Sequence, residues 1–178
     1  MSRKLSQSLR KFLRRTNENA IIRNADTRDI SLLSGIIRDA FLDVAERFAL
    51  TPENCPKHPS NCMDSWIERD FARGVNYYIL EGDGTALGCV ALERANAEIC
   101  YLERLAVLPE ARNRGIGHAL VDHVFVEAMA LGGRYISIGI IADHSELKMW
   151  YRKIGFVEGE TKEFPHLPFR VTFLTYTL

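Results

Sequence analysis

The sequence lacks the features that place a chain in a membrane or outside the cell. No apolar run approaches the roughly 20 residues that a membrane span needs. The first residues contain no apolar core of a secretory signal. The four cysteines are irregularly spaced and do not form the pattern of a disulfide framework. We therefore expect a reduced, cytoplasmic protein without a transmembrane segment.

Net charge is also absent, because 23 bases balance 23 acids, but the charges are unevenly placed. Residues 1–15 carry six bases and no acid, which leaves 17 bases against 23 acids in the rest of the chain. A nucleic-acid-binding domain would need a broad basic face, so we expect no nucleic-acid partner. The composition, with 47% hydrophobic residues, predicts one globular domain over residues 20–178.

Residues 1–19 form a separate segment, predicted to be a basic amphipathic helical extension. Four apolar side chains fall on one helical stripe: Leu5, Leu9, Phe12 and Leu13. Such a helix packs on its own domain, packs on a partner subunit, stays solvated, binds a membrane surface or serves as an organellar leader. The pattern is common and favours the first three readings without separating them.

Residues 112–117, Arg-Asn-Arg-Gly-Ile-Gly, carry the most information in the chain. They follow an apolar run that ends near Val107 and precede an apolar helical pattern over residues 118–131. A strand, a glycine turn and a helix N-terminus make an anion site, because free N–H groups point out of the first helical turn. Glycine at positions 115 and 117 lets a phosphate approach the backbone. The pattern predicts a site for a pyrophosphate-bearing cofactor.

The spacing within this motif separates the cofactor classes. A dinucleotide fingerprint needs glycine or alanine where Leu120 stands, and no Gly-Lys-Ser/Thr triplet of a nucleotide-triphosphate loop occurs. The pattern Arg-x-x-Gly-x-Gly after Leu-Ala-Val instead resembles the acetyl-CoA-binding motif of the GNAT superfamily of N-acetyltransferases. Residues 150–156, Trp-Tyr-Arg-Lys-Ile-Gly-Phe, are similar to a second segment of that family, Leu-Tyr-x-Lys-x-Gly-Phe.

Hydrophobic periodicity and turn residues predict the order strand, two helices, three strands, helix, strand, helix, strand. The predicted strands are residues 20–23, 77–81, 85–92, 98–107, 135–141 and 169–178. The predicted helices are residues 30–41 with a further piece at 43–50, 64–73, 118–131 and 145–153. A turn centred on residues 94–95 would set Cys89 opposite Cys100. The resemblance implies an α+β GNAT fold, a mixed and mostly antiparallel sheet flanked by helices.

The resemblance also implies where acetyl-CoA binds. In the family two neighbouring parallel strands splay apart, and the pantetheine arm pairs with the exposed strand edge. The edge residues here would be Leu105, Ala106 and Val107, and the pyrophosphate would rest on Arg112, Asn113, Arg114, Gly115, Ile116 and Gly117. His144 stands where the family often has an asparagine that bonds the pantetheine arm, so its match is looser.

Acetyl transfer to an amine needs a base for the amine and a proton donor for the departing thiolate. Tyr151 holds the tyrosine position of the second motif and is the predicted donor; the alternative is a core tyrosine bonded to backbone. Glu103 is the predicted base, preferred over Glu98, whose strand parity is opposite. The alternatives for Glu103 are a solvated acid, a partner of Arg104 or of a substrate ammonium, and a base that acts through water.

Two loops are expected to lie over the acceptor side by the same resemblance, and they contribute His58 and His166 as candidate substrate contacts. Cys55, His58 and Cys62 have a spacing that also suggests zinc, with His166 as a fourth ligand. A second close ligand pair is missing, so no metal is expected. A zinc-stabilised interaction module stays the weakest alternative.

The sequence as a whole predicts an acetyl-CoA-dependent N-acetyltransferase that acts on a primary amine by direct attack in a ternary complex. The alternative is a catalytically silent acyl-CoA-binding sensor or scaffold. The acceptor stays open between polyamine, amino acid, antibiotic, peptide N-terminus and lysine side chain, and the acidic domain favours a cation. Dimers are common in the family, so a homodimer is compatible with the resemblance.

Overall fold

Seven strands of the described part of the chain form one sheet in the order β1-β2-β3-β4-β5-β7-β6. The computed structural model describes residues 20–178. All neighbouring strands are antiparallel except β4 and β5, which are parallel. The strands are β1 Ala20–Asn24, β2 Asn76–Gly82, β3 Thr85–Arg94, β4 Ile99–Val107, β5 Tyr135–Ile141, β6 Val157–Lys162 and β7 Val171–Thr177. The predicted α+β fold with a mixed, mostly antiparallel sheet is confirmed.

Four α-helices of the described residues accompany the sheet, with short 3-10 turns at Thr27–Asp29, Pro59–Asn61 and Pro109–Ala111. The helices are α1 Ile30–Arg47, α2 Asp64–Ala72, α3 Ile116–Ala130 and α4 Ser145–Ile154. The Asp26 side chain caps the turn before α1 and forms a capping box with Asp29. Within residues 20–178, none of the helices has the length and apolar character of a membrane span.

The helices cover both faces of the sheet, and each face has its own apolar core. Side chains of α1 and α2, such as Leu33 and Ile67, pack with Ile79 of β2 on one face. Side chains of α3 and α4, such as Leu120 and Tyr151, pack in the core on the other face. Alternation along the central strands supplies both cores, because successive side chains of a strand point to opposite faces.

The sheet opens between β4 and β5. These strands pair only at their first residues, from Ile99 opposite Tyr135 to Tyr101 opposite Ser137. Beyond Tyr101 no pairing is present between them, so the remaining part of β4 has one edge without a strand partner. Pro109 then starts a 3-10 turn and lacks the N–H that would continue the ladder.

A bulge interrupts β4 where it pairs with β3. Cys89 is opposite Ala106 and Ala91 is opposite Glu103, so two residues of β4, Arg104 and Leu105, face one residue of β3. Arg104 has a φ of 49°, in the left-handed region that side chains rarely adopt. Bulges of this kind bend a strand and redirect its side chains.

The structure corrects two predictions about local elements, the division of the first helix and the register of two cysteines. Residues 30–47 form one continuous helix rather than two pieces, because Leu33, Ile37 and Ala40 continue one buried stripe. Helix α2 begins after Met63 as its N-cap, and the Asp64 carboxylate accepts the hydroxyl hydrogen of Ser31.

Strand β6 was not predicted, and all six of its residues are exposed, so it lacks the alternation that marks a half-buried strand. The predicted pairing of Cys89 with Cys100 is also wrong. Cys100 is opposite Arg94, because the turn between β3 and β4 is centred near residue 97 rather than residues 94–95. All four cysteines are free and buried. The predicted N-terminal extension lies outside the described residues.

Candidate active site

The separation of β4 from β5 opens into a cleft with a volume of about 1310 Å³. Its walls come from both strands, from α1, from the Pro59 turn, from the start of α3, from α4 and from β7. The predicted site residues that line it are Glu103, Leu105, Val107, residues 112–117, His144, Tyr151 and His58. Residues more than 90 positions apart in sequence are thereby brought to one space.

The glycine motif forms a cradle at the N-terminus of α3. Gly115 is the N-cap, with a φ of 89° that favours glycine, and no side chain caps the helix. The amides of Ile116, Gly117 and His118 have no hydrogen-bond acceptor among residues 20–178. Three N–H groups and the positive end of the helix dipole therefore remain available to an anion.

Gly117 is needed at the cradle for reasons of space. A Cβ placed there would lie 3.3 Å from Cζ2 of Trp150, in a contact tighter than side chains normally make. The Trp150 ring in turn meets the His118 ring edge-on, with centroids 4.8 Å apart. A larger side chain at position 117 would fill the space above the free amides.

Arg112 fixes the cradle to α1. Its guanidinium donates to the Asp43 carboxylate, to the Ala40 carbonyl at 2.8 Å and, through Nε, to the Val107 carbonyl at 3.2 Å. These contacts occupy most of its donors, so the side chain serves to hold the turn. The Arg112 N–H also donates to the Pro109 carbonyl, at 3.3 Å, so a direct contact of Arg112 with the cofactor stays a prediction.

The three predicted edge residues do not face the same way. Leu105 and Val107 line the cleft, whereas Ala106 is buried on the α1 side of the sheet and does not. Leu108 N–H donates to Leu87 of β3, and backbone direction alternates along a strand. The backbone groups of Val107 therefore point away from β3 toward the cleft, and those of Ala106 point to β3.

Tyr151 is 4% exposed and lies where α4 meets the cleft. Its hydroxyl has no hydrogen-bond partner among residues 20–178, so the alternative of a core tyrosine bonded to backbone is not what the structure shows. Phe156 packs edge-on against the ring at a centroid distance of 5.2 Å. Burial raises the pKa of this phenol, which keeps it protonated at neutral pH.

Glu103 is half-buried and lines the opposite wall of the cleft, on β4. Burial, with the nearby charge of Glu93, raises the pKa of its carboxyl above the ordinary value. Although Arg104 is its neighbour, Glu103 forms no ion pair or hydrogen bond with any of residues 20–178. A half-buried carboxylate with a raised pKa and open lone pairs has the properties of a general base.

Sequence reasoning missed a polar network beside Glu103. Asp70 of α2 accepts hydrogen bonds from Tyr77 at 2.7 Å, from Arg73 at 2.9 Å and from Arg104. Arg73 also pairs with Glu93 at 2.9 Å. The only sequence signal was a charged pair, Glu-Arg, inside an otherwise apolar strand. Asp70 sits among other charges of a short amphipathic helix, where nothing distinguishes it.

The predicted histidines differ in their placement. His58 is 5% exposed, and burial lowers its pKa, so it is neutral at neutral pH. Its Nδ1 accepts the Ser60 N–H at 3.3 Å, which leaves Nε2 to carry the proton. His144 caps α4 by accepting the Leu147 N–H at 3.4 Å, and burial and the Arg47 charge lower its pKa. His166 is exposed and does not line the cleft.

The Cys55, His58 and Cys62 side chains do not form a metal site. Across residues 20–178, no three His, Cys, Asp or Glu side chains are placed to hold a metal ion together. His58 instead contacts Phe41, whose ring lies edge-on to it at 5.9 Å. The loop that contains Cys55, His58 and Cys62 thus packs against α1 rather than around an ion.

Comparison with known proteins agrees with this geometry. Residues 73–158 match the family model of the acetyltransferase (GNAT) domain. An amino-acid acetyltransferase from Ralstonia nicotianae is 32% identical over 101 residues, covering 56% of this chain and 21% of that protein. The chain spans about a fifth of the length of the curated relatives it matches first.

Solved structures share the fold at low sequence identity. A phosphinothricin acetyltransferase from Sinorhizobium meliloti in complex with acetyl-CoA superposes with a TM-score of 0.68 at 21% identity, over 89% of this chain and 88% of that one. An N-acetylglutamate synthase from Neisseria gonorrhoeae, complexed with coenzyme A and N-acetyl-glutamate, superposes with a TM-score of 0.67 at 23% identity. The superposition covers 89% of this chain and 35% of that one. The family match shows a GNAT acetyltransferase domain over residues 73–158, and these solved structures share its fold.

Proposed function

We propose that the protein is an acetyl-CoA-dependent N-acetyltransferase that acts on a primary amine. The observation that carries this proposal is the cleft between β4 and β5, with the uncapped amides of Ile116, Gly117 and His118 at its mouth. A diphosphate fits three free N–H groups at a helix N-terminus. The Val107 N–H faces the cleft without an acceptor among residues 20–178 and is offered to a carbonyl of an amide-bearing arm such as pantetheine.

When bound, acetyl-CoA supplies the acetyl group as a thioester. The Glu103 carboxylate takes a proton from the acceptor ammonium, directly or through a water, so that the nitrogen lone pair attacks the thioester carbon. The Tyr151 hydroxyl gives its proton to the sulfur as the carbon–sulfur bond breaks, and the second proton that the nitrogen loses on becoming an amide restores the phenol through solvent. Glu103 and Tyr151 line the same cleft from different elements, which suits a base and an acid acting on the two sides of one carbonyl.

Direct transfer in a ternary complex is favoured over an acyl-enzyme. An acyl-enzyme needs a nucleophile such as a cysteine thiolate in the site. All four cysteines are buried, and none of them lines the cleft. His58 and His144 line it as neutral imidazoles and are proposed to contact the acceptor and the pantetheine arm, respectively.

The proposal is tested first by thiol release from acetyl-CoA with a panel of amines: a polyamine, free amino acids, peptides with free N-termini and an aminoglycoside. The curated relatives named amino-acid acetyltransferases make free amino acids the first acceptors to test. Thiol release that requires an added amine supports transfer, because hydrolysis of acetyl-CoA would release the thiol without one. Tight acetyl-CoA binding without release for any amine would instead identify a silent acyl-CoA-binding protein.

The placement of acetyl-CoA is tested by Gly117→Glu in calorimetric titrations. A carboxylate above the free amides opposes a diphosphate by charge and bulk, and we expect affinity to fall about 100-fold. Gly35→Glu in α1 is the matched control, because it adds the same charge at a position where only the end of Arg38 lies within 4.0 Å. Equal affinities of the two variants would show that the cradle does not hold the diphosphate.

A further inference from the structure

Arg104 has a guanidinium edge that the fold leaves open to the cleft. Its Nη1 donates to the Asp70 carboxylate and to the Tyr77 hydroxyl. Its Nε and Nη2 have no acceptor among residues 20–178, and the side chain, 20% exposed, lines the cleft. A guanidinium held at one nitrogen, with an adjacent pair of N–H groups free, is arranged to receive a carboxylate through two parallel hydrogen bonds.

The bulge in β4 places this open edge beside Glu103. Neighbouring residues of a regular strand point to opposite faces, but Arg104, with its φ of 49°, turns to the face that carries Glu103. Asp70 in α2 and Arg73 just after it lie near enough to Glu103 to affect the pKa of its carboxyl. Asp70 also binds Arg104 directly. Left-handed backbone at a bulky residue costs free energy and is concentrated at functional sites.

An acid and a base that lie side by side would ordinarily pair with each other. Glu103 and Arg104 do not, since the Arg104 Nη1 is held by Asp70 and Tyr77. The cleft therefore presents a free carboxylate and a free guanidinium edge on one face. The complementary ligand carries an ammonium and a carboxylate in one small molecule.

We propose that the acceptor is an amino acid whose carboxylate binds the free edge of Arg104 while its ammonium faces Glu103. This inference rests on the proposed function for the fate of the ammonium. It adds the acceptor class and assigns Arg104 as the residue that selects it. Asp70 and Tyr77 are positioning residues, because they act on the acceptor only through Arg104.

The test compares free L-amino acids with their α-carboxamides, which keep the amine and lose the negative charge. Two measurements are made on each pair: kcat/KM for transfer, and equilibrium binding to the protein in the presence of coenzyme A. We expect the best amino acid to exceed its amide about 100-fold in both. If the amides match their amino acids in both measurements, the inference is overturned. This comparison needs only the wild-type protein.

Arg104→Gln should abolish the preference for the acid, bringing the ratio of acid to amide close to one. Arg104→Lys keeps a cation beside Asp70 but loses the planar fork, and should retain part of the preference, about a tenth. The matched control is Arg73→Gln, since Arg73 also binds Asp70 but does not line the cleft. If the folded Arg104→Lys variant keeps the full wild-type preference for the acid over the amide, the assignment of Arg104 is overturned.

The two proposals fail in different ways. Transfer to amines that carry no carboxylate, with amides as good as acids, would leave the acetyltransferase standing and overturn the amino-acid acceptor. Arg104-dependent binding of amino acids without any thiol release would support the Arg104 site and contradict the acetyltransferase.

Discussion

The two ends of the cleft are built by different means. At the cradle, the start of α3 offers backbone N–H groups, while the guanidinium of Arg112 is tied to α1. At the other end, which we call the Glu103 end (Glu103, Arg104 and His58), the groups on offer are side chains. Arg104 is held by partners from α2 and β2, and His58 by the Pro59 turn.

This difference predicts how each end responds to mutation. Backbone donors are set by local conformation, so the cradle tolerates most side-chain changes except those that fill its space, as at Gly117. The Glu103 end depends on half-buried charges whose positions are fixed by other buried charges, so single substitutions there should alter chemistry or stability. The following variants test this division, in decreasing order of expected effect.

Glu103→Gln should lower kcat/KM about 1000-fold and leave acetyl-CoA affinity unchanged, because it removes the base without touching the cradle. In the wild type Glu103 can accept a proton only when it is ionised. Because the pKa of its carboxyl is raised, kcat/KM should increase as the pH rises through that elevated pKa. The variant should lack this acidic limb of the pH–rate profile. Glu98→Gln is the control, since Glu98 is exposed and pairs with Arg134. Full activity of Glu103→Gln with an intact limb would remove Glu103 from the mechanism.

Tyr151→Phe should lower kcat about 100-fold and spare the affinity for both ligands, because only a hydroxyl without a partner among residues 20–178 is lost. Steady-state kinetics and thermal unfolding are the measurements. Tyr176→Phe is a matched control in the same aromatic cluster, whose ring contacts Phe156 but does not line the cleft. Undiminished turnover of Tyr151→Phe would show that another group protonates the thiolate.

Asp70→Asn should destabilise the fold by about 2 kcal/mol, since a buried carboxylate that accepts three donors is replaced by an amide. Asp43→Asn removes the partner of Arg112 at an exposed position and should cost less than about 1 kcal/mol. Denaturant unfolding of both variants compares the two ends directly. A larger loss for Asp43→Asn would contradict the division between a backbone-built cradle and a charge-built Glu103 end.

Local patterns predicted most of the fold because they are written in contiguous residues. The strand over residues 135–141 and the α4 segment ending at Gly155 match the structure closely, since alternation and a left-handed C-terminal glycine are local signals. Strand β6 was missed because its exposed residues carry no alternation. The cysteine register was missed because the turn near residue 97 contains no glycine or proline to centre it.

The candidate site divides in the same way. The cradle was predicted from Gly115 and Gly117, whose spacing reports a backbone conformation directly. The alternation that separates Val107 from Ala106 at the strand edge follows from pairing with β3, and the motif does not contain it. The role of Arg112 as a brace to α1 depends on Asp43, 69 residues away, so no local pattern announces it.

The amino-acid sequence was sufficient to specify the α+β class, the two family segments and an anion cradle, because each depends on residues close together along the chain. Tertiary structure alone decided that β4 parts from β5, that the bulge turns Arg104 beside Glu103, and that Asp70 and Tyr77 hold the guanidinium so that one edge stays open. The physical reason is that these features arise from the register between strands and from contacts across more than 25 residues. Their energy depends on which distant groups burial brings together.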